Sequence, residues 1–208
     1  MWVLALILII LALSTMVYSF WDVPPITQKL PTTIHGINVK VVGLISDTHT
    51  HLPILGIKLP ERVFEIFKEA NVSLIIHAGD IVDLNVIREL ERIAAVVAVY
   101  GNTDPPEIRA LMPAMAIIEV NGKRVGVIHD VGVPPLWGTD KMERIASENN
   151  LDVLVFGHTH KPFLKIKGDV IFINPGSPIN PLPPLFVKRT VGLLVITEDK
   201  IEPYIIEI

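Results

Sequence analysis

Continuous apolar runs that stop at short polar motifs are the feature of this chain that most restricts its fold. The runs Val39 to Ile45, Val72 to His77 and Ala95 to Tyr100 end at Ser46-Asp47-Thr48-His49, Ala78-Gly79-Asp80 and Gly101-Asn102-Thr103-Asp104. Runs of this length without polar alternation are strands covered on both faces. Between them lie stretches of helical period. Pro60 opens one with Val63, Phe64, Ile66, Phe67 and Ala70 on its apolar side, and Asp83 is placed to cap another that carries Leu84, Ile87, Leu90, Ile93 and Ala94. Strands that alternate with helices in this way predict a largely parallel sheet.

The second half of the chain changes character. Met115 to Val120 and Arg124 to His129 flank Asn121-Gly122, which reads as a hairpin. A helix is expected over Thr139 to Asn149, a buried strand over Leu151 to Phe156, and a hairpin of Phe163 to Ile166 with Val170 to Ile173. After a proline-rich loop from Asn174 to Phe186, Val191 to Thr197 and Ile201 to Ile206 form a last hairpin. There is no internal repeat. The expected fold is α/β, a four-layer α-β-β-α sandwich of two mixed sheets.

The 208 residues suffice for one domain, expected over residues 39–208. A net charge of -4 gives no general attraction for nucleic acid. Cysteine is absent, which excludes disulfides and thiolate metal sites. Half of the residues are hydrophobic, partly because residues 1–21 carry no charged side chain. Twenty-odd apolar residues match the roughly 30 Å hydrocarbon core of a bilayer, and Trp2, Tyr18, Phe20 and Trp21 sit at the ends of the run. Residues 1–21 are therefore read as a membrane anchor, with a cleaved signal peptide or an extension from a misassigned start as the rival readings. Lys29 and Lys40 follow the span, which places the domain on the cytoplasmic side; without an anchor the domain is cytoplasmic as well. Residues 22–38, with Pro24, Pro25 and Pro31, read as a linker.

The tetrapeptide Gly157-His158-Thr159-His160 follows the buried run Leu151 to Phe156. In extended chain, side chains two apart share a side, and the glycine supplies backbone freedom to turn both imidazoles inward. By itself this is as good a surface turn as a metal site. The other strand ends decide the matter: Asp47 and His49, Asp80, Asn102, His129, then His158 and His160. In open α/β sheets ligands bind at that edge, so these residues are expected to share one crevice. Two carboxylates, one amide oxygen and four imidazoles are too many for one ion and suit two, with one carboxylate bridging.

Taken in order, Asp47-x-His49, Gly79-Asp80, Gly101-Asn102-x-Asp104, His129 and Gly157-His158-x-His160 resemble the motif set of the calcineurin-like metallophosphoesterase family. Asn174-Pro175-Gly176-Ser177 is similar to the small bacterial and archaeal phosphodiesterase branch. The resemblance spans residues 39–208. It implies one metal held by Asp47, His49, Asp80 and His160, and a second held by Asp80, Asn102, His129 and His158. It further implies two divalent transition-metal ions, with Mn expected and Ni, Fe, Co or Zn equally suited to such donors, and in-line attack by a bridging hydroxide on a small or nucleotide-type phosphodiester.

Two positions depart from the family pattern. Thr103 stands where many members carry a histidine that protonates the leaving group, so good leaving groups are favoured. Asp130 follows His129 where glycine is usual, and a carboxylate there either lowers the positive charge of the site or orients His129. Several other residues have plainer readings. His77 packs behind the site, His51 and His35 are loop and linker residues, Asp104 fixes the turn of Asn102, and Ser177 holds its loop by hydrogen bonds. The loops at Trp137-Gly138 and Pro181 to Phe186 are expected to wall the pocket. A scaffold of the retromer-subunit type is the alternative function, and a nuclease a more distant one. A homo-oligomer is left open.

Overall fold

The computed structural model describes residues 39–49, 58–132, 140–179 and 188–208. The expected anchor and linker, His35, His51 and both expected pocket-wall loops lie outside these residues. Among the described residues, no helix is long and apolar enough to cross a membrane.

Among the described residues, ten strands form two five-stranded sheets. The first is built from β1 (Lys40–Ile45), β2 (Leu74–His77), β3 (Ala95–Ala98), β9 (Thr190–Ile196) and β10 (Ile201–Glu207), in the order β10-β9-β1-β2-β3. The second contains β4 (Met115–Val120), β5 (Lys123–Ile128), β6 (Val153–Val155), β7 (Pro162–Lys167) and β8 (Val170–Pro175), in the order β4-β5-β6-β8-β7. β1, β2 and β3 are parallel, as are β5, β6 and β8, and the remaining strands pair antiparallel, so both sheets are mixed. The helices among the described residues are α1 (Glu61–Glu69), α2 (Leu84–Glu91), α3 (Pro106–Leu111) and α4 (Asp140–Glu148).

Side-chain alternation along the central strands explains the layering. Val42 and Leu44 of β1 and Leu194 and Ile196 of β9 meet Val125, Val127, Val153 and Val155 of the second sheet in a core between the sheets. Val41 and Ile45, on the opposite face, pack with Val63, Ile66 and Phe67 of α1 and Val86, Ile87 and Leu90 of α2. Leu154 and Phe172 face outward from the second sheet onto Met142 and Ala146 of α4. The result is the expected four-layer sandwich. Runs without polar alternation arise because β1, β9 and β6 are covered on both sides.

The hairpin of β4 and β5 pairs Val120 with Lys123 around Asn121 and Gly122, both with positive φ (50° and 75°), the geometry of a two-residue I′ turn. Asp83 caps α2, accepting the Asn85 N–H at 2.8 Å. Two details differ from expectation. α3 has no counterpart in the hydrophobic pattern, because six residues with one buried side chain, Ile108, leave no periodic signal. β8 runs through Pro175, so Asn174 is a strand residue rather than part of a loop.

Candidate metal centre

β1, β2 and β3 all end at one edge of the first sheet, and β5, β6 and β8 at the facing edge of the second. The segments after β1, β2, β3, β5 and β6 bring together all seven sequence-selected residues, and the backbone ladder continues past the strands to hold them. The Asp47 N–H donates to Gly79 O at 3.0 Å, the His49 N–H to Asp80 O at 3.1 Å, and the Gly157 N–H to His129 O at 3.0 Å.

The residues gather in two groups. In the first, Asp47, His49, Asp80 and His160 each offer a donor atom within 4.8 Å of the others. His49 Nε2 lies 3.1 Å from His160 Nε2 and 3.5 Å from Asp80 Oδ2, and His160 Nε2 lies 3.4 Å from Asp47 Oδ1. In the second, Asn102 Oδ1 stands 3.0 Å from His129 Nε2 and 2.9 Å from His158 Nδ1. His129 Nε2 is also 3.4 Å from Asp80 Oδ2. The same Asp80 oxygen therefore faces both groups. His158 and His160, two residues apart, go to different ones.

Local conformation differs from the expectation of extended chain. Asp47, His49, Asp80, His158 and His160 all have positive φ, between 38° and 70°. Left-handed backbone costs a non-glycine residue about 1 kcal/mol or more, and it collects where surrounding contacts impose it. Gly157 is not needed for its own backbone freedom, since the two histidines make the turns. It is needed for space: a Cβ there would lie 2.0 Å from Ser46 Oγ and 2.9 Å from Asp47 Oδ2. Gly101 is similar, with a Cβ position 2.1 Å from Asp80 Oδ1.

Non-ligating side chains tie the loops together. Asp104, buried, accepts the N–H groups of Ile81, Val82 and Gly101 at 2.7 Å each and that of Asp80 at 3.1 Å. It therefore joins the Asp80 loop to the Asn102 loop, beyond the turn-fixing role expected of it. Ser177 Oγ donates to Asp47 O at 2.8 Å, and Asn174 Nδ2 donates to Gly157 O at 2.7 Å. The Asp47 carboxylate accepts the His158 N–H at 3.1 and 3.0 Å. His77 is buried behind the site as expected. Its Nδ1 accepts the Gly79 N–H at 3.2 Å, which leaves the proton on Nε2 to reach Thr48 Oγ1 at 3.0 Å. Asp130 neither faces nor orients His129: it accepts the Gly132 N–H at 2.6 Å, while His129 Nδ1 pairs with Ala78 O at 2.7 Å. Arg109, at the surface of α3, binds the backbone of the Asn102 loop, and no sequence signal marks it. A groove of about 400 Å³ between α4 and the β7–β8 hairpin is lined by Glu143, Lys167 and Phe172, none of them among the seven.

The electrostatics are those of a cation site. Burial raises the Asp47 carboxyl to about 7, with Asp80 adding to the rise and the charge of His129 opposing it. Burial would raise Asp80 too, but its hydrogen bond and charge interaction with His129 and the Thr103 N–H outweigh that and hold it below the ordinary carboxylate range. Burial lowers His49 against the pull of Asp80. It also disfavours charge on His129, yet the bond to Asp80 and the charges of Asp47 and Asp80 prevail and raise it. His77 is driven down to about 3 by burial, with His129 adding to the effect. The donor set fits divalent metal. With Nδ1 of His129 given to a backbone carbonyl, its Nε2 lone pair converges with Asp80 Oδ2 and Asn102 Oδ1, acceptors that a cation satisfies together.

Comparison with known proteins identifies the family. The family model for the calcineurin-like phosphoesterase superfamily domain matches residues 41–199. A probable metallophosphoesterase of Methanocaldococcus jannaschii is 40% identical over 168 residues, covering 81% of this chain and 81% of its own length. A phosphodiesterase of the same organism is 30% identical over 148 residues, 65% of this chain and 82% of its own. In fold, vacuolar protein sorting 29 from Cryptosporidium parvum superposes with a TM-score of 0.70 at 22% identity, covering 82% of this chain and 92% of that one. The chain belongs to the calcineurin-like phosphoesterase superfamily.

Proposed function

We propose that the protein is a metal-dependent phosphodiesterase with a dinuclear centre, acting on a small or nucleotide-type phosphoester. The observation that carries this reading is Asp80, whose Oδ2 faces His49 in one group and His129 in the other. Asp47, His49, Asp80 and His160 would hold one divalent ion, and Asp80, Asn102, His129 and His158 the other. Such a pair, when bound, supplies positive charge that activates water and clamps the attacking and leaving oxygens of an in-line displacement. Two dications against Asp47 and Asp80 leave the site about two charges positive, which draws an anionic substrate.

The rest is the work of the chain's own residues. Carbonyl and carboxylate partners hold the site: Ala78 O orients the His129 ring, and the Asp47 carboxylate holds the backbone at His158 by accepting its N–H. Thr103, whose Oγ1 lies 3.4 Å from His49 Nδ1, takes the chain position at which the family resemblance implies a proton donor to the leaving group. A hydroxyl with an ordinary alcohol pKa does not serve as a general acid near neutrality. Substrates whose leaving group needs no proton, such as aryl diesters, should therefore turn over best. The metallophosphoesterase and phosphodiesterase names of the relatives support the same reaction class.

The test is hydrolysis of bis-p-nitrophenyl phosphate by the full chain with added Mn²⁺ or Ni²⁺. Turnover should vanish with EDTA and in Asp80→Ala and His160→Ala. Metal-independent turnover, or an Asp80→Ala chain with full metal-stimulated activity, would refute the reading.

A further inference from the structure

We propose that Arg109 is a positioning residue that holds Asn102 in place for the second metal group, and so controls the two metal groups unequally. The inference rests on the dinuclear reading above. Asn102 is exposed, whereas Asp47, Asp80, His129 and His160 are buried and His49 and His158 partly so. An exposed ligand on a loop needs something other than packing to keep its place. Its Oδ1 points at His129 and His158, and its carbonyl accepts from Arg109 Nη2 at 2.5 Å. Arg109 Nε donates at the same time to Asp104 O at 2.7 Å. One rigid guanidinium fork therefore closes over both ends of the segment from Asn102 to Asp104, which a flexible single-point ammonium cannot do. The guanidinium carbon lies 5.6 Å from the centre of the Tyr100 ring, which gives the fork a flat support.

The neighbouring attachments of this loop run elsewhere. The Gly101 N–H goes to Asp104 and the Thr103 N–H to Asp80. The second bond positions Asp80, which both groups share, and the first reaches Asp80 through the Asp104 carboxylate. The Arg109 bonds go to the carbonyls of Asn102 and Asp104; of these two residues only Asn102 offers a donor atom to a metal group, and it belongs to the second group only. Loss of Arg109 should therefore free the Asn102 amide while leaving Asp47, His49, Asp80 and His160 where they are. Groups of this kind behind a metal ligand typically change metal affinity by about 10–100-fold.

The experiment is calorimetric titration of Mn²⁺ into the full chain, with electron paramagnetic resonance of the loaded samples. The parent chain should take up two equivalents and show a spin-coupled pair. Arg109→Ala should keep the first equivalent within about twofold and weaken the second by about 10–100-fold, with the six-line signal of isolated Mn²⁺ replacing the coupled one. Added guanidinium ion should partly restore the coupled signal, and Arg109→Lys should fall between parent and alanine variant. If Arg109→Ala does not fold, Arg109→Lys is titrated and judged by the same inequality. Equal weakening of both equivalents, or no weakening of the second, overturns the proposal. A parent chain that binds fewer than two equivalents fails the dinuclear reading itself, which is a separate result.

Discussion

Replacing Asp104 with alanine tests how the site is held together, because one buried carboxylate receives four backbone N–H groups. Oδ1 takes those of Ile81 and Val82, and Oδ2 those of Asp80 and Gly101, at 2.7 to 3.1 Å. A hydrogen bond to a charged partner contributes about 1.5–3 kcal/mol net, so a simple sum over the four reaches roughly 6–12 kcal/mol. The four bonds share one side chain, and water can enter the space it leaves, so the losses are not additive. We expect Asp104→Ala to cost about 3–5 kcal/mol, a large part of the roughly 5–15 kcal/mol by which domains are stable. At about 2–4 °C per kcal/mol for a chain of this size, the midpoint should fall by roughly 6–20 °C. Asp104→Asn keeps the volume but only one acceptor oxygen, and should lose about half as much. Urea unfolding of the metal-free full chain measures both variants. An alanine variant within about 1 kcal/mol of the parent, or an asparagine variant as stable as the parent, would refute the account of Asp104 as the tie between the two loops.

Gly157→Ala should abolish Mn²⁺ binding by the first group, because the new Cβ would collide with Ser46 Oγ and press on Asp47 Oδ2; a titration with an unchanged first equivalent would contradict the close-approach argument. Burial raises Asp47 to about 7 from 3.8, so its contribution to the stability of the metal-free protein is full below its ordinary value and is lost as pH rises through about 7. Metal restores it, so the rise in melting temperature caused by Mn²⁺ should be larger at pH 8 than at pH 5.5; an equal or larger rise at pH 5.5 would count against this. His77 has the opposite sign: depressed to about 3, it contributes stability above its ordinary 6.5 that is lost as pH falls towards 3. Between pH 6.5 and 4.5 the metal-free parent should lose about 2–3 kcal/mol more than His77→Gln, and parallel urea-unfolding curves for the two would show that His77 is not buried neutral.

Much of the fold was legible because its central strands are covered on both faces. Val39 to Ile45 and Leu151 to Phe156 are nearly pure apolar runs, and each core position has a partner across a layer. The gathering of the seven candidate residues was legible for a related reason: each follows a strand at the edge where parallel strands end, so position along the chain implied position in space. α3 was not, since it is short and has one buried residue. Nor was Arg109, whose two bonds are to carbonyl groups that every residue possesses. The left-handed turns of His158 and His160 differ from the expected extended chain, because histidine enters that conformation more often than most residues but still too rarely to announce it. Asp130 was ambiguous from sequence, and only the direction of its side chain towards Gly132 resolves it.

The positive φ values of Asp47, His49, Asp80, His158 and His160 bear on how such a site survives in evolution. A glycine at any of these positions would sit more easily in its backbone than the residue present does. Selection for durability alone would therefore erode this centre first, and the sandwich around it would become firmer as chemistry disappeared. A lineage that keeps the fold while losing its ligands needs no new architecture to become a scaffold. In this chain all five of these left-handed positions carry a carboxylate or an imidazole.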